Sequence, residues 1–503
     1  MKKASDTLYR LIHALDKSEQ RYFTLFAERH QIGGNNNYWQ LFQIIKKNKI
    51  GSDKELQPHI QGLDFVKHLP VVKHQLTDNL LKALSQYDEA NSEEQQIKRQ
   101  CHKAFILLEK DLPEMAEKYL NKAEKKALAQ EHFHLMPEII EIRKRIITKR
   151  YYKKTDSEAL AALYEVAEKY RHLQQNKDDY WLLRSRIYKL HSSKAVDRKV
   201  HEQEELTELL NAPQLKDEQQ TQSKDAQLDY LQLNALRYFI DKNYQQAFEY
   251  NRRFLRLFDE QPYLLLLYPG RYRAILNNYL IDCVQLDKEA ELRTGLERLY
   301  ALPQNKAFKK LKDTALQVFR LGYQLEMNWN VTKGNFGANC ELVPHLTDEL
   351  KRYKKALAAQ QILVFYYLIT YSLFATERFE ECLDWANKII NETDEKMLAV
   401  IQVSARMVEI LAHVELGNDE YALYAIERFR RFIRKQKSPY NMEKTLLTGL
   451  TQLLNQTSDK HPKIYDKMLK NLSEIEESGY FKVRVWIQSK IQQCTYESAY
   501  STT

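Results

Sequence analysis

Glycine and proline are scarce in this chain of 503 residues, numbering 12 and 11, or about 2% each where globular proteins carry ~7% and ~5%. So few helix breakers, with 44% apolar and 29% charged residues, predict an all-α fold, and disorder is not the expected state. The glycines never fall at the G-x-x-x-x-G-K or G-x-G-x-x-G spacing that wraps backbone amides around phosphate, so no nucleotide cofactor is expected. Cysteine is also sparse: Cys101, Cys283, Cys340, Cys382 and Cys494 are odd in number and far apart, and read as small buried hydrophobes of a reducing compartment. Long apolar runs are missing. The most apolar window, Ile362 to Ala375, is 14 residues long, whereas a membrane span needs ~20. Met-Lys-Lys-Ala-Ser-Asp leads straight into an amphipathic stretch with Lys17, Glu19 and Arg21, with no secretory apolar segment, so a cytoplasmic location is expected. Charge is only mildly unbalanced, at 77 Lys and Arg against 68 Asp and Glu. That excess permits acidic partners without requiring them.

What the chain does contain is a recurring helical stripe. Ala116, Ala159, Ala247, Leu292, Cys382 and Ala422 are each followed four residues on by Leu120, Leu163, Asn251, Leu296, Ala386 and Ile426, and seven on by Ala123, Val166, Phe254, Leu299, Ile389 and Phe429. Positions i, i+4 and i+7 share one helix face, and only Asn251 breaks the apolar rule. The intervals between anchors are 43, 88, 45, 90 and 40 residues, so two copies are expected to be hidden, near residues 203 (Leu206, Leu209, Leu210) and 338 (Ala338, Leu342). A unit of about 40 to 45 residues predicts an α-solenoid of antiparallel helix pairs.

Around this array the chain divides into expected regions. Residues 1–92 read as a small helical cap or domain. Asp16 with Glu19 and Ser52 with Glu55 have capping-box spacing, Gly33 to Asn37 is a turn, and helices cover Tyr38 to Lys47 and about Val71 to Tyr87. The array runs over 93–435, with Pro113 and Pro137 near helix starts, a capping box at Thr155 and Glu158, and a polar loop or hinge near 213–225. Residues 436–496 read as capping helices, and 497–503 as a frayed tail. In one unit Ala235, Tyr238, Tyr244 and Ala247 fall where the tetratricopeptide (TPR) motif places its small residue, tyrosines and tight-packing alanine, and Phe379, Cys382 and Ala386 echo them. The stretch from about 93 to about 435 therefore resembles a TPR-like array. The motif's Trp and terminal Pro are not reproduced, and the unit is about ten residues longer than the usual ~34.

No motif pairs a nucleophile with a base, so no catalytic residue is assigned and the chain is not expected to be an enzyme. His132 and His134, two apart, would lie on different sides of a helix, so no metal ligand is expected there. Clusters of cations with aromatics surround Arg143 and Arg150, Arg252 and Arg256, and Arg430 and Arg434; they read mainly as solvated outer faces of helices and, as the alternative, as contacts for phosphate or acidic peptides. In peptide-binding TPR proteins the first helix of each pair lines a groove, and the resemblance implies that Arg273 and, one turn on, Asn277 hold a peptide backbone or carboxylate there. The expected function is a non-enzymatic scaffold or adaptor that binds a protein or peptide partner, without membrane insertion. The alternative is a transcription regulator whose helices Ser52–Gln61 and Val71–Tyr87 form a helix-turn-helix presenting Lys73, His74, Asn79 and Lys82 to DNA. Thirteen cations against ten acids in residues 1–90 give nucleic acid little electrostatic drive.

Overall fold

A computed structural model describes residues 7–29, 36–150, 152–153, 155–192, 199–309, 311–392, 398–435, 440–473, 475 and 481–502. The N-terminal Met-Lys-Lys, Gly33 to Asn35 of the expected turn, and Tyr151 and Lys154 of one basic cluster lie outside these. Among the described residues there are helices and no strand, as the scarcity of breakers dictates. The chain forms two compact units, residues 1–230 and 231–503.

Unit 1 begins with α1 (Thr7–Ala14), α2 (Lys17–Arg29), α3 (Asn37–Lys47), α4 (Asp53–Ile60) and α5 (Leu69–Asn91). The expected capping box opens α2, where Asp16 and Glu19 exchange backbone-to-carboxylate bonds of 2.7 and 2.8 Å. Before α4, Ser52 accepts from Glu55, whose own carboxylate turns back to the amide of Gly51. These helices enclose a core of their own, centred on Tyr9, Phe23, Phe42, Leu56 and Leu76. A second core lies among α6 (Glu93–Glu109), α7 (Pro113–Ala129) and α8 (Met136–Lys149), so the boundary expected at 92/93 is a junction between helices within unit 1. Then come α9 (Ser157–Ser192) and α10 (Val200–Leu210). Here the pattern misleads: Ala159 is exposed and Leu163 and Val166 only half-buried, because they sit on a continuous helix of 36 residues. Its cap is Asp156, which accepts from Ala159, one residue beyond the expected Thr155. The stretch 213–225 is not a free loop. It holds two short 3-10 turns with Leu215 buried, and is bonded to α9 by Tyr180 to Gln214 O (2.9 Å) and Asn176 to Gln220 O (2.9 Å).

Helix α11 (Lys224–Ile240) leads into unit 2, which continues with α12 (Tyr244–Glu260), the short α13 (Tyr263–Leu267), α14 (Pro269–Gln285), α15 (Glu289–Ala301), α16 (Thr314–Val318), a π turn, α17 (Gln324–Thr332), α18 (Phe336–Tyr353), α19 (Ala359–Ala375), α20 (Phe379–Glu392), α21 (Ala399–Glu415) and α22 (Asp419–Arg434). Neighbouring helices pack in pairs. The anchors Ala247, Leu292, Cys382 and Ala422 are buried together with their partners, as is the Ala116 stripe on α7. The hidden copy between Leu292 and Cys382 is on α18, but Ala338 and Leu342 are only half-buried. Its anchor is Asn339, followed by Val343 and Leu346, all buried.

The backbone carries a more regular signal than the side chains. Asp111, Lys242, Asp287, Gly334, Glu377 and Gly417 all have positive φ, between 57° and 70°. Each ends the first helix of a pair. The next amide bonds back to the fifth carbonyl before it: Leu112 to Leu107, Asn243 to Tyr238, Lys288 to Cys283, Asn335 to Asn330, Arg378 to Leu373 and Asn418 to His413, at 2.8 to 2.9 Å. This is the left-handed closure that satisfies the last carbonyls of a helix. In every instance the stripe anchor lies five residues beyond the left-handed residue, which identifies Asn339 independently of its chemistry.

The chain closes with α23 (Asn441–Leu454), α24 (His461–Ser473), α25 (Val483–Gln492) and α26 (Tyr496–Ser501). Residues 497–502 are not frayed: α26 buries Tyr496, Ala499 and Tyr500, because its aromatic face meets Phe336, Tyr371 and Phe374. Among the described residues no helix is long and apolar enough to cross a membrane; Leu363 to Ala375 is largely interior on all sides of α19.

Candidate interaction surface

The first helices of successive pairs in unit 2 touch one another, α14 with α17, α17 with α19 and α19 with α21, and so make a layer. Much of that layer is covered by the chain itself. Phe481 and Tyr496 pack on Tyr371 and Phe374 of α19, with the two tyrosine hydroxyls 2.9 Å apart. On α21, Glu415 accepts from Trp486 Nε1 and Lys490 Nζ, both at 2.6 Å.

Helix α14 carries the two residues singled out from the TPR resemblance. Tyr272, Ile275, Leu276, Leu280 and Cys283 face inward. Arg273 and Asn277 are both half-buried, one turn apart on the same helix. The Arg273 guanidinium makes a two-pronged contact with Asp313, at 3.1 and 3.3 Å, and holds that carboxyl below its usual value. Toward the other end of α14, Asn251, the exception in the stripe, donates to the fully buried Asp282 at 2.7 Å. Removal from water pushes the Asp282 carboxyl up to about 7.

The basic clusters are mostly neutralised internally. Arg143 grips Glu124 with both prongs, at 2.6 and 3.0 Å, and Arg150 reaches Glu114 and Glu117. Arg252 pairs with Glu249, and Arg430 with Glu427 and Thr451. Arg256 and Arg434 are exposed and have no ion pair among the described residues. Of the expected DNA-facing set, Asn79 is half-buried and Lys82 exposed, whereas the other two are engaged. Lys73 is tied to Asp53 and lies over the ring of Tyr9, with its side chain 20% exposed, and His74 pairs with Asp78. No family model matches the chain, and no curated protein matches it in sequence.

His132 and His134 depart from expectation. They do not lie on a regular helix: His132 caps a 3-10 turn, Phe133–Leu135, and His134 is its middle residue, so their rings meet edge to face with centroids 5.7 Å apart. Glu94 joins them from the start of α6. A spacing of two separates side chains only while the helix is α; here Glu131, at φ 55°, has already turned the chain.

Proposed function

We propose that the chain is a non-enzymatic scaffold whose TPR-like stack of helix pairs binds a protein or peptide segment. The observation that carries this reading is the coincidence of two repeats, the left-handed turn and the buried stripe, at a constant offset through α12, α15, α18, α20 and α22. A stack built this way has a face of first helices, part of which the chain's C-terminal helices cover on α19 and α21, and such faces serve as binding surfaces. On that face Asp313 occupies the position that a ligand carboxylate would take on Arg273, and Asn277 supplies an amide suited to a peptide backbone.

The test compares proteins recovered from host cells by the full chain, by an Arg273→Ala, Asn277→Ala double variant, and by Asp313→Ala. The double variant is expected to lose the specific partner, and Asp313→Ala, which frees the guanidinium, to retain more of it. Equal recovery by all three would remove this surface from consideration.

A further inference from the structure

The α7–α8 turn is built to hold imidazoles. Phe133 and Leu135 are buried, and Phe133 stacks on Tyr170 with the Lys177 ammonium 5.7 Å from its ring centre. Two anchors fix the preceding residue: Lys177 Nζ donates to Glu131 O at 3.1 Å, and the Glu131 carboxylate accepts from the Lys224 amide at 2.7 and 2.9 Å. His132, which follows this doubly anchored residue, is half-buried, and His134 is exposed beside it. One ligand atom from each of Glu94, His132 and His134 lies within 4.8 Å of the others. Four-coordinate zinc, with bonds of about 2.0 to 2.2 Å, places its ligands roughly 3.3 Å apart, a closure that rotation of exposed His134 and half-buried Glu94 supplies.

We propose that Glu94, His132 and His134 form a binding site for a divalent transition metal of the zinc type, with water in the fourth position, clipping the start of α6 to the α7–α8 turn. Two imidazoles and one carboxylate suit Zn²⁺, and also Co²⁺ and Ni²⁺, over the oxygen-seeking Mg²⁺ and Ca²⁺. Metal ligation needs a neutral imidazole, and burial, followed by the neighbouring His134, acts in that direction by lowering the His132 pKa. Without metal, the Lys98 ammonium stands in for the cation, 2.7 Å from Glu94 Oε1. Lys98 is exposed enough to swing away, and its charge competes directly with a metal ion. Glu93 lies close enough to raise the His132 pKa, adding a second carboxylate to the local field.

The experiment uses the full chain, stripped with a chelator and titrated with Zn²⁺ against a chromophoric competitor. One equivalent should bind. His132→Ala and His134→Ala should each weaken it at least about tenfold, and Lys98→Met should tighten it, the opposite of what loss of an incidental surface contact would give. X-ray absorption at the zinc edge of the parent protein should show imidazole scattering, a readout that does not depend on any variant folding. Undiminished binding by a folded His132→Ala, His134→Ala double variant, or a first shell without imidazole, overturns the assignment.

Discussion

Asn251 and Asn339 stand where the repeat asks for apolar side chains, and both are buried. Asn339 donates to Met327 O and Ser372 Oγ, both at 3.0 Å, and accepts from Asn330 at 2.9 Å. A buried amide satisfied this way costs little, whereas an unsatisfied one costs about 1 to 3 kcal/mol. The Asn251–Asp282 pair is less well served, because Asn251 Oδ1 and one Asp282 carboxylate oxygen have no hydrogen bond. The Asp282 pKa rises from 3.8 to about 7 through burial. Below about pH 4 both folded and unfolded chains are protonated there and no penalty arises. Between pH 4 and 7 the unfolded chain ionises while the folded one retains its proton, so stability falls as pH rises; above about 7 the full penalty stands. Asp282→Asn removes the titration and keeps an acceptor for Asn251. It should stabilise unit 2 by about 2 to 4 kcal/mol at pH 7.5 and by much less at pH 4.5, measured by urea unfolding at both values. A gain independent of pH would refute the titration.

At the scale of the element, turns and helices differ in how far they could be read in advance. Helix type, the caps at Asp16 and Ser52, and five of the six stripes follow from composition and i, i+4, i+7 spacing. The sixth failed because spacing on one helix does not report whether the chain turns afterwards, and nothing between 157 and 192 marks a continuous rod. The repeating turn was invisible for a different reason. Left-handed closure is normally advertised by Gly or Asn, and here only Gly334 and Gly417 do so, while Asp111, Lys242, Asp287 and Glu377 adopt it without that signature. This gives paired predictions of opposite sign. A Cβ on Gly417 meets nothing within 4 Å, so Gly417→Ala should be destabilising by about 1 kcal/mol through backbone conformation alone. Lys242→Gly should leave stability unchanged or raise it by up to about 1 kcal/mol. Thermal unfolding of both variants checks this, and a stabilised Gly417→Ala would contradict the assigned turn. The candidate surface was legible only as far as residue types go. Arg273 and Asn277 could be named, but Asp313 lies 40 residues away from Arg273, and no local pattern encodes that meeting. Nor could Glu94 be joined to two histidines across α6 and α7.

At the scale of the whole molecule, the two units draw on different means of closure. Among the described residues unit 1 surrounds two cores, whereas unit 2 brings its last helix back onto helices begun more than a hundred residues earlier, through Tyr371 and Tyr496. Tyr496 is buried among Phe336, Phe374, Phe481 and Tyr500. Tyr496→Ala should cost about 3 to 5 kcal/mol, as for other large enclosed rings, and should lower the unfolding midpoint of unit 2. An unaltered midpoint would mean that α26 does not complete this core.

That return sets the order in which unit 2 can mature on the ribosome. Helices α18 and α19 emerge with an aromatic patch that stays wet until residues 481–500 have been synthesised, some hundred codons later at about 5 to 20 residues per second. For those seconds Phe336, Tyr371 and Phe374 form an uncovered aromatic surface on the nascent chain, so a message cut short before codon 481 should yield a product that aggregates or is held by chaperones.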